Sequence, residues 1–166
     1  MRVEISDYDP VWPEWYEREA QRIRAALKDA AVVIEHAGST SVPGLAAKPR
    51  IDIVLAVPDT TDEAAYLPAL EAAGYTFILR EPDWFEHRLF RGTEPDSNIH
   101  VFSAGSPEID KMLLFRDWLR TNAEDRARYE TAKRELAARE WPTMQDYADA
   151  KTKVVEDIVS RARASG

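Results

Sequence analysis

Apolar residues near the start of the chain recur at three- and four-residue steps: Trp12, Trp15, Tyr16, Ile23, Ala26 and Leu27. That spacing lines one face of an amphipathic helix, which Asp9-Pro10 opens. The period then shortens. Residues 32–35 form a short β-prone run, and the segment from Gly38 to Gly44 reads as a loop with room for one helical turn. Residues 50–57 are the clearest strand: Ile51, Ile53, Leu55 and Val57 alternate, and Pro58 stops the run. A helix follows over 61–73 and ends at Gly74. Runs 75–79, 84–91 and 98–102 predict three further strands. From Ser106 onward the helical period returns in three segments, 106–121, 124–140 and 143–163, with Pro142 parting the last two. This order lacks the strict strand–helix alternation of a doubly wound sheet. It predicts an α+β fold, a mixed β-sheet flanked by helices with a helical C-terminal third, in a single domain over 1–166.

Composition agrees with one globular domain: 166 residues, 45% apolar and 31% charged. A formal charge of −8 argues against nucleic acid and anionic membranes as partners, so an anion site would need cations gathered locally. With no cysteine, a disulfide framework, a thiolate zinc site and a cysteine nucleophile are excluded. No run approaches the ~20 apolar residues of a membrane span. The opening MRVEISDYDP has no apolar stretch after its arginine, so no signal peptide is expected and the expected location is cytoplasmic.

Against this background four groups of residues stand out. In HAGSTSVPGLAAKP, Gly38 and Gly44 permit close backbone approach, and Ser39, Thr40 and Ser41 supply hydroxyls beside them. Ser41 is a candidate helix N-cap, and the segment reads either as a capped turn or as a phosphate-binding turn. The spacing is not that of a P-loop. Asp52 lies within the most apolar strand, on the face opposite Ile51, Ile53 and Leu55. A carboxylate there needs a hydrogen bond, a counter-charge or a metal. Glu86-His87-Arg88 and Asn98-Ile99-His100 sit inside predicted strands. Asn98, His100 and Phe102 share one face, which then carries both polar and apolar groups, as a pocket floor does. For either histidine the alternative is a hydrogen-bonded core residue, and for Arg88 an ion pair with Glu86 or Glu81. Finally, Arg116, Lys133 and Lys151 interrupt the apolar stripes of the three C-terminal helices. Each can snorkel to water, whereas an inward set requires an anion.

Taken together, HAGSTSVPGLAAKPRIDI, EHRLF, NIHVF, LLFRDWLR, Tyr129 with Lys133, and Tyr147 with Lys151 resemble the GrpB-like branch of the nucleotidyltransferase superfamily. That family also occurs appended to dephospho-CoA kinases. The resemblance runs from Tyr8 to about Val159. It implies a nucleotidyltransferase-like fold and a nucleotide or other phosphorylated small molecule as ligand, with nucleotidyl transfer from an NTP to an unknown acceptor as the reaction if the protein is an enzyme. It places Gly38, Ser39, Thr40, Lys48, Arg88, Arg116, Lys133 and Lys151 around phosphate, and Asp52, His87 and His100 at the catalytic centre. Asp52 and His100 would hold Mg²⁺, one ion rather than two. The superfamily's acidic–apolar–acidic triplet is incomplete, because Val54 stands where the second carboxylate belongs. One carboxylate and one imidazole make a poor cage for two-metal chemistry. Two alternatives follow: a catalytically attenuated nucleotide-binding module, or a protein-interaction and folding-assistance domain.

Overall fold

The computed structural model describes residues 3–165. Its strands are β1 (Val33–Ala37), β2 (Ile51–Val57), β3 (Thr76–Glu81), β4 (His87–Thr93) and β5 (Asp96–Ser103). They form one mixed sheet in the order β1-β2-β5-β4-β3. β2 and β5 run parallel, and the other neighbours are antiparallel. The helices are α1 (Trp12–Leu27), α2 (Leu67–Ala72), α3 (Pro107–Thr121), α4 (Ala123–Ala137) and α5 (Met144–Ser165).

The alternation along β2 separates two cores. Ile51, Ile53, Leu55 and Val57 join Phe90, Ile99 and Val101 beneath Trp12, Tyr16 and Ile23 of α1 and Leu70 of α2. On the opposite face Val54, Ala56 and Phe102 meet Ile109, Met112 and Leu113 of α3. β1 is an edge strand, and its outward carbonyls are capped: Tyr16 donates to Ile34 O, and Arg116 donates to His36 O. That blunts the edge against pairing with another chain.

The helices α4 and α5 pack away from the sheet. Leu119, Tyr129 and Ile158 close over Val42 and Leu45, and Tyr147 and Ala137 close over Val3. A bridge between Ser6 and Ala47 ties the N-terminal segment to the same loop. The loop between β1 and β2 is therefore held between the sheet and the C-terminal helices, which leaves a cleft at its rim.

Several predicted boundaries move. The helix expected over 61–73 is a 3-10 turn, Glu63–Ala65, followed by the short α2. Pro68 lies in the first turn of α2, where its missing N–H is harmless, but it prevents one helix from running through. The strand expected from Trp84 begins at His87. Phe85 and Glu86 take φ of 55° and 53°, in the left-handed region, and form a turn instead. Ser41 is not an N-cap. The turn Ser39–Ser41 is a single 3-10 turn whose N-terminal neighbour is Gly38 at φ 69°, and the Ser41 hydroxyl donates back to Gly38 O. The caps that do form are Ser106 on α3 and Asn122 on α4.

Candidate functional site

The cleft encloses about 250 Å³. Its floor is the Gly38–Thr40 turn, Asp52 from β2 and Asn98 from β5. One wall is Lys48 and Arg50, at the entry to β2. The other is Tyr129 and Lys133 on α4 with Met144, Tyr147 and Lys151 on α5. The turn presses on the carboxylate: a Cβ at residue 38 would lie 2.5 Å from Asp52 Oδ2. Glycine is required there for space as well as for its positive φ. The Ser39 and Thr40 N–H groups donate to no backbone acceptor among the described residues. Thr40 is oriented from below, its hydroxyl 2.9 Å from His36 Nε2. His36 stacks on Tyr16 at 4.7 Å, and burial, ahead of the arginines nearby, pulls its pKa down to about 4. It is a neutral pin for the turn.

Three lysines face this floor. Lys133 is buried and donates to Ala46 O at 2.6 Å, with its ammonium 4.9 Å from the centre of the Tyr129 ring. Burial, then the charge of Lys151, lowers its pKa to about 7. Lys151 lies 5.6 Å from the Tyr147 ring centre. It is held above the ordinary lysine range by Tyr129 first, against a burial penalty, and also by Tyr147 and Asp52. Burial, then Arg50, lowers Lys48. Arg50 is paired with Asp96 at 2.9 Å. Among the described residues no carboxylate forms an ion pair with Lys48, Lys133 or Lys151. Lys151 therefore carries a charge that no ion pair claims, and Lys133 can gain one when an anion lies beside it.

The structure separates the expected residues into two groups. Gly38, Ser39, Thr40, Lys48, Asp52, Lys133 and Lys151 line the cleft together. Arg88 does not, because its strand position puts it on the α2 face. There it is buried between Glu63 and Glu86, with an N–O separation of 2.9 Å to each. Arg116 is likewise neutralised, by Glu35 and Asp117, and it braces β1. The helical period could not tell an arginine aimed at a ligand from one aimed at a neighbouring strand. Neither histidine lines the cleft: His100 lies beside Asp52, and His87 is buried behind His100. The sequence reading puts Asn98 on a pocket floor and offers Glu81 only as a partner for Arg88. Asn98 lies opposite Asp52 in the β2–β5 register and lines the cleft with it, and Glu81 bonds His87 at 2.8 Å. Only the strand register brings them in.

A divalent metal, which the resemblance implies, does not fit these donors. Val54 stands opposite His100 in the β2–β5 register and is buried among Ala37, Ala56, Phe102 and Ile109, an apolar setting hostile to the missing carboxylate. Asp52 Oδ1 is already 3.1 Å from His100 Nε2, so the two expected ligands bond one another. Burial pushes the Asp52 carboxyl up, but the hydrogen bond and charge of His100, with Lys151 and Asn98, outweigh it and hold the group below the ordinary carboxylate range. Among the described residues no group of three or more His, Cys, Asp or Glu is placed to hold a metal.

The GrpB protein family model matches residues 2–161. The chain belongs to the GrpB family. A UPF0157 protein of Halalkalibacterium halodurans is 56% identical over 163 residues, spanning 98% of this chain and 84% of that protein. The crystal structure of the conserved protein GrpB from Enterococcus faecalis superposes with a TM-score of 0.81 at 30% identity, covering 95% of this chain and 98% of that one. A dephospho-CoA kinase of Mycolicibacterium paratuberculosis is 29% identical over 186 residues, which is 96% of this chain and 46% of that protein. A GrpB-like segment therefore also occurs within a longer protein. A cytoplasmic RNA terminal U-transferase aligns with a TM-score of 0.52 at 17% identity, over 80% of this chain and 40% of that one. At that identity it speaks for the fold, a nucleotidyltransferase-like mixed sheet. No helix among the described residues is long and apolar enough to cross a membrane.

Proposed function

We propose that this GrpB-family protein binds a nucleotide or a closely related phosphorylated small molecule in the cleft between the Gly38–Thr40 turn and the helices α4 and α5. The observation that carries the reading is the convergence of Lys48, Lys133 and Lys151, with no ion pair among the described residues, on a turn whose Ser39 and Thr40 N–H groups donate to no backbone acceptor among them. In a chain of charge −8, three unpaired lysines around one half-buried site call for an anion. Tyr129, Tyr147 and Met144 add flat and apolar surface beside the lysines, suited to a sugar or a base. Among the described residues there is no carboxylate cage, which favours a binding module over two-metal nucleotidyl transfer.

Calorimetric titration with ATP, GTP, CTP and UTP, with and without Mg²⁺, tests this. Wild-type protein is expected to prefer at least one nucleotide without requiring Mg²⁺. Lys151→Met is expected to weaken that binding about tenfold or more, the worth of one charge-assisted contact. Equal, weak heats from wild type and Lys151→Met for every nucleotide would refute the reading.

A further inference from the structure

A second groove, of about 380 Å³, lies between α1 and α3 along the edge strand β1. Glu17 and Arg24 enter it from α1, Glu35 and His36 from β1, and Arg116 and Arg120 from α3. The helical period explains the α1 side. Glu17 follows Pro13 by four residues and Arg24 follows Glu17 by seven, so all three share one face, with the two charged residues about 10 Å apart along the axis. On α3, Arg116 and Arg120 are four residues apart and present like charges to one another. Such a pair destabilises a helix unless anions lie beside it.

The protein's own acids meet that demand only in part. Glu35 and Asp117 hold Arg116, at 3.0 and 2.9 Å. Asp117 reaches Arg120 only at 3.9 Å, and Arg120 Nε donates to Ser41 O. Burial first, then the charge of Arg116, lowers the pKa of Arg120, as befits a cation short of a counter-charge. Among the described residues Arg24 and Glu17 form no ion pair. The groove therefore presents one unclaimed guanidinium, Arg24, one loosely held, Arg120, and one unclaimed carboxylate, Glu17. The outward carbonyls of Ile34 and His36 are already taken by Tyr16 and Arg116, so the strand edge leaves Glu17 as the acceptor for a cationic group. A simple oxyanion would suit the two arginines and be repelled by Glu17. A ligand of mirrored charge, with two carboxylates and one ammonium, suits all three.

We propose that this groove binds a free acidic α-amino acid, with its carboxylates on Arg24 and Arg120 and its ammonium on Glu17. A guanidinium receives a carboxylate through two parallel N–H donors, and Arg120 keeps both Nη groups for that purpose. The site is separate from the cleft, and the proposal does not depend on what the cleft holds. The two spaces meet at His36, whose ring lines the groove while its Nε2 lies 2.9 Å from the hydroxyl of Thr40, a cleft residue.

Backbone and side-chain ¹H–¹⁵N spectra of the protein, titrated with L-glutamate, L-aspartate, glutarate and inorganic phosphate, test it. At least one of the two amino acids is expected to saturate while shifting the signals of Glu17, Arg24, Ile34 and Arg120. Glutarate, which lacks the ammonium, is expected to bind about tenfold more weakly or worse, the worth of one charge-assisted contact. Arg24→Met is expected to weaken amino-acid binding by a similar factor. Glu17→Gln is expected to weaken it too and to remove the preference over glutarate. Both positions are exposed and without an ion pair among the described residues, so neither change should unfold the chain, as thermal melts would show. Four results would each overturn the proposal: no saturation by either amino acid, phosphate or glutarate binding as tightly, a preference that survives Glu17→Gln, or shifts confined to Lys133 and Lys151. No nucleotide enters these titrations, so a failure here and a failure of nucleotide binding are separate results.

Discussion

Lys133 shows at a single residue how the proposed anion site opposes folding. Its ammonium is buried, with one carbonyl as acceptor and Lys151 nearby. Its pKa falls from 10.5 to about 7 on folding, so the folded state favours the neutral form. The resulting penalty is absent above pH 10.5, grows as pH falls toward 7 and is constant below that. Lys133→Met is therefore expected to stabilise the ligand-free protein below neutrality by about 3 kcal/mol, the pKa penalty less the lost hydrogen bond to Ala46 O. The gain should fade as pH approaches 10.5. Urea midpoints of the two proteins across that range check it. A variant less stable than wild type at pH 6 would mean that the lysine is compensated in the free protein.

Among elements, the C-terminal helices are fastened at Asp125 on α4. Its carboxylate, 2% exposed, accepts from Trp118 Nε1 at 2.7 Å, from Arg161 at 2.8 Å and from Arg128 at 3.0 Å, joining α3, α4 and α5. The hydrogen bond from Arg161, ahead of those from Trp118 and Arg128, holds its pKa down at about 2. Asp125→Ala removes the acceptor shared by Trp118 Nε1 and two half-exposed arginines, which can turn to water, and is expected to cost about 1–2 kcal/mol. Because the folded pKa is depressed, the wild-type contribution is present above pH 3.8 and is lost as pH falls through about 2. The stability difference between the two proteins should thus shrink in acid, as denaturation at pH 7 and pH 3 would show. The cleft shares this fate, since α4 and α5 carry Lys133 and Lys151.

For the whole molecule, the distribution of charge matters more than the total. The chain is acidic overall, while Lys48, Lys133 and Lys151 gather in one cleft, where Asp52 is the carboxylate they face. An anion bound there raises the pKa of Lys133. Binding near pH 8 is then expected to take up close to one proton, and binding near pH 6 close to none, because the lysine is already charged. Calorimetry in buffers of different ionisation enthalpy reads that uptake directly. Uptake that is zero at both pH values would place the ligand away from Lys133.

What the sequence alone determined was the order of elements, the faces of β2 and β5, and the family. All of these rest on local periodicity or contiguous motifs: Ile51, Ile53 and Leu55 against Asp52, or the run from His36 to Pro49. The turn at Gly38 and the lysines at positions 133 and 151 were also legible, because each breaks a local pattern. Whether a cation meets a ligand or a neighbour was not. Arg88 and Arg116 break their patterns in the same way as Lys133, yet Glu63 and Glu35 claim them from elements 25 and 81 residues away. The hydrogen bonds linking Asp52, His100, His87 and Glu81 across four strands were equally hidden, since they depend on three strand registers at once. Periodicity reports which face a side chain takes. Only the closed fold decides which groups share that face, because register and packing are set by contacts between segments far apart in the chain.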